Sequence, residues 1–112
     1  MADQSENKRD FFRASTELNA TLRSKGKKHH VKIVDISAGG VKVESDEVFF
    51  VDENVTIDFT LLDNQFSKTC KIVHVMVGEG VHNTYGCMFE YIKDADQKKI
   101  NSFVFAAQAG GR

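Results

Sequence analysis

The chain reads as a mainly β protein, a six-stranded antiparallel barrel followed by a C-terminal α-helix. Three observations carry that expectation. Short runs with apolar residues at every second position recur between residues 12 and 92. Turns rich in Gly, Asp and Asn punctuate them at the intervals of a small barrel. Only the last segment switches to helical spacing.

The first strand runs from Phe12 to Leu22, where Phe12, Ala14, Thr16, Leu18, Ala20 and Leu22 alternate with Arg13, Ser15, Glu17, Asn19 and Thr21. A polar turn around Gly26 leads to a second strand, His30 to Ile36. Val31 and Ile33 share one parity in it and Val34 and Ile36 the other, so a bulge is expected just before Asp35. Ser37 to Gly40 makes a tight turn in which Gly39 and Gly40 can take positive φ, and Val41 to Glu44 returns as strand three. Val55, Ile57, Phe59 and Leu61 mark strand four, ended by Asp63 and Asn64. Strands five and six, Phe66 to Val77 and Tyr85 to Ile92, flank a loop from Gly78 to Thr84.

The tail has helical spacing: Asp94 is placed to cap with Gln97 at the third helical position, and Ile100, Phe103, Val104 and Ala107 form one stripe. That stripe must be buried on the open end or side of the barrel. Gly110 and Gly111 are expected to stop the helix. The organisation is therefore a flexible leader over residues 1–7, one domain over 8–107 and a flexible tail over 108–112.

At 112 residues, 41% hydrophobic and 28% charged, the chain has the material for one modest core. No apolar run nears the roughly 18 residues a membrane span needs, and the polar start lacks the apolar stretch of a signal peptide. A cytoplasmic protein with no membrane partner is expected. The net charge of −1 hides an asymmetry: residues 8–30 hold seven cations against two carboxylates, while 31–112 carry eight against twelve. An anionic partner should approach the first third.

Cys70 and Cys87 are expected as free buried thiols. If Val77 pairs with Thr84, they stand about four residues, or ~13 Å, apart along the ladder. His29, His30, His74 and His82 make no metal-ligand set, and no nucleophile with a matching base stands out, so neither a cofactor nor catalysis is expected.

Two stretches carry the functional signal. Arg9-x-x-x-Arg13 lies where the leader enters strand one, and Asp35-x-Ser37-x-x-Gly40 closes strand two. An Arg guanidinium pairs bidentately with a guanine edge or a phosphate and stacks on a base. A carboxylate accepts from guanine N1 and N2, a hydroxyl adds a further bond, and glycines let backbone approach a ligand. Together they are complementary to a guanine nucleotide.

In motif, in the 22-residue spacing from Arg13 to Asp35 and in strand plan, residues 8 to 107 resemble the PilZ family. These are small bacterial barrels with a C-terminal helix that bind cyclic di-GMP through RxxxR and D/N-x-S-x-x-G motifs. Gly86 to Phe89 is similar to the family's G-x-x-F in a late strand. The resemblance implies a cyclic di-GMP receptor in which Arg9 and Arg13 hold guanine edges and phosphates, and Asp35 and Ser37 take the guanine donor edge. Gly40, with Gly39, keeps the turn clear, and Gly86 joins the site, although a bulge or close approach in strand six is its plainer reading. Lys8 precedes the first motif Arg. In the family an Arg there accompanies a paired ligand and an apolar residue a single one, so Lys8 leaves the stoichiometry open.

The receptor is expected to order its leader when the ligand's phosphates screen Arg9 from Arg13, and to signal to a separate, unidentified effector protein, since no effector domain is expected on this chain. Two alternatives are a PilZ-like barrel that serves only as a protein-interaction module, and a small barrel that binds single-stranded RNA through Lys25 to His30. The second lacks exposed aromatics in the sequence pattern, because Phe12, Phe59 and Phe89 fall at apolar-face parity.

Overall fold

Alternation along β1, Arg13–Ser24, sends Ala14, Ala20 and Leu22 inward and leaves Arg13, Ser15, Glu17, Asn19 and Arg23 exposed. A computed structural model describes residues 13–78 and 82–110, and the expected start of the first strand at Phe12 lies outside them. β2, Lys27–Ser37, pairs antiparallel with β1 and with β3, Gly40–Ser45. β4, Asn54–Leu61, β5, Asn64–Val77, and β6, Asn83–Phe89, complete a closed barrel in the order β1-β2-β3-β6-β5-β4. The sheet closes on itself through three β1–β4 pairs, Thr21, Leu22 and Arg23 with Asp58, Ile57 and Thr56.

The register of β2 against β3 shifts between Ile33 and Asp35, which makes Val34 the bulge. Val31, Ile33 and Ile36 all remain buried across it. The bulge thus turns Asp35 to the outer face without removing an apolar side chain from the core.

Two-residue connections join β1 to β2 and β4 to β5. Lys25 and Gly26 take φ of 52° and 80°, and Leu62 and Asp63 take 49° and 70°. Both central residues in the left-handed region is the geometry that matches the twist of a hairpin. The second turn therefore sits at Leu62 and Asp63, one residue earlier than expected, with Asn64 already in β5. Gly39 and Gly40 do not take positive φ. Gly40 is needed for space instead: a Cβ there would lie 2.1 Å from the Cys87 carbonyl oxygen.

β2 begins at Lys27, three residues before the expected start at His30. β6 ends at Phe89, short of Ile92, although the Glu90 N–H still donates to the Thr69 carbonyl of β5 at 3.0 Å. Val77 pairs with Asn83, not Thr84, and a second bulge falls between Ile72 and His74. Together these shifts place Cys87 opposite Ile72 while Cys70 faces Phe89. The two thiols are diagonal neighbours, about 7–8 Å apart by ladder geometry rather than ~13 Å. Both are free and buried.

The helix α1 spans Asp94–Gly110, so residues 108–110 belong to it rather than to a tail. Its first bond runs from the Gln97 N–H to the Lys93 carbonyl at 2.9 Å, which makes Lys93 the cap and puts Asp94 at the first helical position. Asp94 and Asp96 in the opening turn favour the positive end of the helix dipole. Ile100 and Val104 are fully buried, with Phe103 and Ala107 half-buried beside them, and α1 packs on β1 and β2. Lys68 Nζ of β5 donates to Asp96 Oδ2, fixing the helix start to the sheet. No helix among the described residues is long and apolar enough to cross a membrane.

Candidate functional site

The Val34 bulge and the Ser37–Gly40 turn bring the two motifs to one place. Arg13 opens β1 opposite Ser37, the last residue of β2, while Asp35 pairs with Ser15 on one side and Lys42 on the other. Arg13 Nη1 lies 3.4 Å from Asp35 Oδ2; the Arg side chain is 65% exposed and the Asp side chain 18%. Asp35 is thus set into the sheet surface and Arg13 stands above it.

The turn is held rigidly. The Gly39 N–H donates to the Ser37 hydroxyl oxygen at 3.1 Å, and the Phe89 N–H donates to the Gly39 carbonyl at 3.0 Å, so the turn is bonded to β6 as well as to itself. Gly40, Lys42, Gly86 and Met88 all face outward, since their strand neighbours Val41, Val43, Tyr85, Cys87 and Phe89 are buried. Where Gly40 and Gly86 lack side chains, the outer face of the sheet is hollow. A cavity of about 470 Å³ opens there, lined by Arg13, Asp35, Ser37, Gly39, Gly40 and Gly86 together with Lys42, Val73 and Met88. That volume is in the range of small-molecule sites.

Six of the eight residues singled out in the sequence therefore line one cavity: Arg13, Asp35, Ser37, Gly39, Gly40 and Gly86. Lys8 and Arg9 lie outside the described residues. Sequence reasoning missed Lys42, Val73 and Met88. Lys42 and Met88 could have been found from their outward parity, because each alternates with buried residues. Val73 had a weaker signal: it stands at outward parity to buried Cys70 and Ile72, but Val75 and Val77 share its parity, and the bulge at Val73 resets the phase beyond it; Val73 is 44% exposed.

The walls divide by chemistry. Arg13 and Lys42 supply positive charge, Asp35 a carboxylate, Ser37 a hydroxyl, and Val73 and Met88 an apolar shelf of the kind that carries a flat ring. Such a set suits a ligand that joins an anionic group to a heteroaromatic base. Among the described residues, no group of three or more His, Cys, Asp or Glu side chains is placed to hold a metal ion.

A closed six-stranded barrel with a C-terminal helix and a hollow on its outer face defines a small β-barrel domain. Residues 7–106 match the PilZ domain, and the chain belongs to the PilZ domain family. No curated protein matches it.

Solved structures share the fold at low identity. The Bacillus subtilis inhibitor of motility, MotI/DgrA, is 16% identical with a TM-score of 0.82, over 91% of this chain and 52% of the other. The PilZ domain of YcgR from Escherichia coli with c-di-GMP is 10% identical with a TM-score of 0.74, over 91% of this chain and 92% of that one. The MrkH–c-di-GMP complex of K. pneumonia is 16% identical with a TM-score of 0.74, over 88% and 52%. The chain thus spans about half the length of the MotI/DgrA and MrkH chains it matches.

Proposed function

We propose that this protein is a cyclic di-GMP receptor whose site is the hollow between Arg13 and Gly86. One observation carries the reading: the two motifs, 22 residues apart in sequence, meet as Arg13 and Asp35 at the rim of a single cavity. YcgR and MrkH, similar in fold, have been solved with c-di-GMP, which fits the same ligand class.

In this reading the Asp35 carboxylate accepts from N1 and N2 of a guanine, while the Ser37 hydroxyl and the glycine turn bound the base edge. Adenine has no N1 donor, so an adenine dinucleotide leaves Asp35 poorly paired. Arg13 leaves Asp35 for a phosphate or a guanine Hoogsteen edge, a charge-assisted exchange in which each partner gains a better-matched group. Lys8 and Arg9 close over the ligand from the leader, and Lys42 adds positive charge from the sheet. Val73 and Met88 support a base face. Binding then changes the leader, and a separate effector protein in the cytoplasm reads that change.

Calorimetry with cyclic di-GMP tests the assignment and gives the stoichiometry that Lys8 leaves open. Saturable binding to the wild type that is lost in Arg13→Ala and Asp35→Ala supports it. Intact binding in both variants, or none in the wild type, refutes it and leaves the barrel as a protein-interaction module.

A further inference from the structure

Val48, Phe50 and Val51 are 66%, 62% and 51% exposed, three large apolar side chains within four residues of the β3–β4 connection. Solvent-facing clusters of this kind mark interaction surfaces. The connection is not loose. The Tyr85 hydroxyl donates to the Glu47 carbonyl at 2.8 Å and accepts from the Phe49 N–H at 3.3 Å, while the Glu53 carboxylate accepts from the Phe50 N–H at 3.0 Å and from the Ser24 hydroxyl. Phe49 is buried and plugs this end of the barrel, and the residues on either side of it are held outward. Met76 and Val77, 50% and 79% exposed, extend the apolar surface, since Val77 pairs with Asn83 and Asn83 with Ser45.

Charge is sorted across the same end. The Phe49 ring meets His29 of β2 on one side and Tyr85 of β6 on the other, each at 5.2 Å between centroids and near perpendicular. Beyond His29 lie exposed Lys25, Lys27 and Lys28, with Lys25 Nζ 5.9 Å from the centre of the Phe50 ring. On the Tyr85 side lie exposed Asp46 and Glu47. The exposed lysines thus stand on the His29 side of the apolar middle, with Glu53 beside Lys25 offsetting part of their charge and exposed Asp52 following Val51, while Asp46 and Glu47 stand on the Tyr85 side.

We propose that this end of the barrel is a homodimer interface. A two-fold axis near Phe50 sets the lysines of each copy against Asp46 and Glu47 of the other and brings the apolar residues together, which is the self-complementarity an isologous contact requires. An anionic membrane or a single-stranded nucleic acid offers one sign of charge and is repelled by half the face. Asp35 stands eight residues along β2 from Lys27, about 26 Å in an extended strand, so dimerisation leaves the ligand cavity accessible. This inference does not rest on the ligand assignment.

Sedimentation velocity from low-micromolar to sub-millimolar concentration tests it, with circular dichroism as the control for folding. The wild type should approach twice its 12.6 kDa monomer mass. Phe50→Asp changes a side chain the core does not use and should weaken dimerisation by at least about tenfold. Reversing the lysines (K25E, K27E, K28E) or the acids (D46K, E47K) should give monomers, and mixing the two reversed proteins should restore the doubled mass. A wild type that stays monomeric, reversed proteins that still dimerise alone, or a mixture that stays monomeric each overturns the proposal. So does a monomer that associates only with vesicles of acidic phospholipid.

Discussion

Arg13 and Asp35, one from each motif, form an ion pair across 3.4 Å at the rim of the cavity. The Arg side chain is 65% exposed, and a pair so open to solvent contributes at most about 1 kcal/mol to stability. Arg13→Ala and Asp35→Ala should therefore shift a urea midpoint only slightly. Their effect on cyclic di-GMP should be large, since each removes hydrogen bonds to a charged group worth about 1.5–3 kcal/mol, or roughly 10- to 150-fold in affinity. Paired calorimetry and urea melts read the contrast directly.

Gly40 and Gly86 line the same hollow but differ in what surrounds them. A Cβ at Gly40 would fall 2.1 Å from the Cys87 carbonyl oxygen, a backbone atom that cannot step aside alone. At Gly86 the nearest atom is the His74 Cβ at 3.3 Å. Gly40→Ala should cost about 1–3 kcal/mol as an overpacking change, whereas Gly86→Ala, which asks His74 to give by only a few tenths of an ångström, should cost less. Thermal melts of the two variants measure the difference, and a Gly86→Ala protein that keeps its fold isolates any loss of binding.

Acid should weaken the fold through carboxylates such as Asp58 and Asp96. The Arg23 hydrogen bonds, Nε and Nη2 to the Asp58 carboxylate at 2.9 and 3.1 Å, are the main reason its pKa is held below the usual range, against the pull of burial and with help from Ser67. Asp96 is lowered chiefly by the hydrogen bond from Lys68. A folded value below the unfolded value of about 4 means that both contribute fully above that pH and lose their contribution as pH falls through the depressed values. Urea midpoints should hold steady down to about pH 5 and fall below about pH 4, with a shallower fall in Asp58→Asn.

Much of the barrel was legible because a half-buried strand must alternate, and residues such as Ala14, Leu22, Val41, Ile57 and Phe59 do so without exception. The Val34 bulge was legible for the same reason, as a change of phase between Ile33 and Ile36. What alternation cannot give is pairing between strands. The Ile72–His74 irregularity and the one-residue difference at Val77 come from how β5 meets β6, so the nearness of Cys70 to Cys87 and the β6 neighbours of Val73 were hidden. The hairpin at Leu62 and Asp63 was displaced because it places Leu, a poor left-handed residue, at φ 49° where Asn or Gly is usual.

The thiols should be silent at neutral pH. Burial pushes the Cys87 pKa up to about 12, and burial, with Cys87 and Glu90 nearby, raises that of Cys70 further. Thiolate reagents should therefore react with the folded protein only as fast as it opens, and at full speed in denaturant. Because the folded values lie above the unfolded value of about 8.5, stability is fully present below that pH and is lost as pH rises through the folded values. A thiol-reagent time course at increasing pH checks both statements.

The Gln108 side-chain amide donates to the Arg13 carbonyl at 2.8 Å, stitching the last turn of α1 to the first residue of β1. Topologically the domain is thus almost a ring, with its seam at the mouth of the ligand hollow. A linker that runs from α1 back to the leader, so that Lys8 and Arg9 are kept, with a new opening cut at Leu62 and Asp63, would give a circular permutant that retains every described wall of the hollow. Fluorophores attached on either side of the original seam would sit beside the ligand, so their separation would serve as an optical gauge of occupancy.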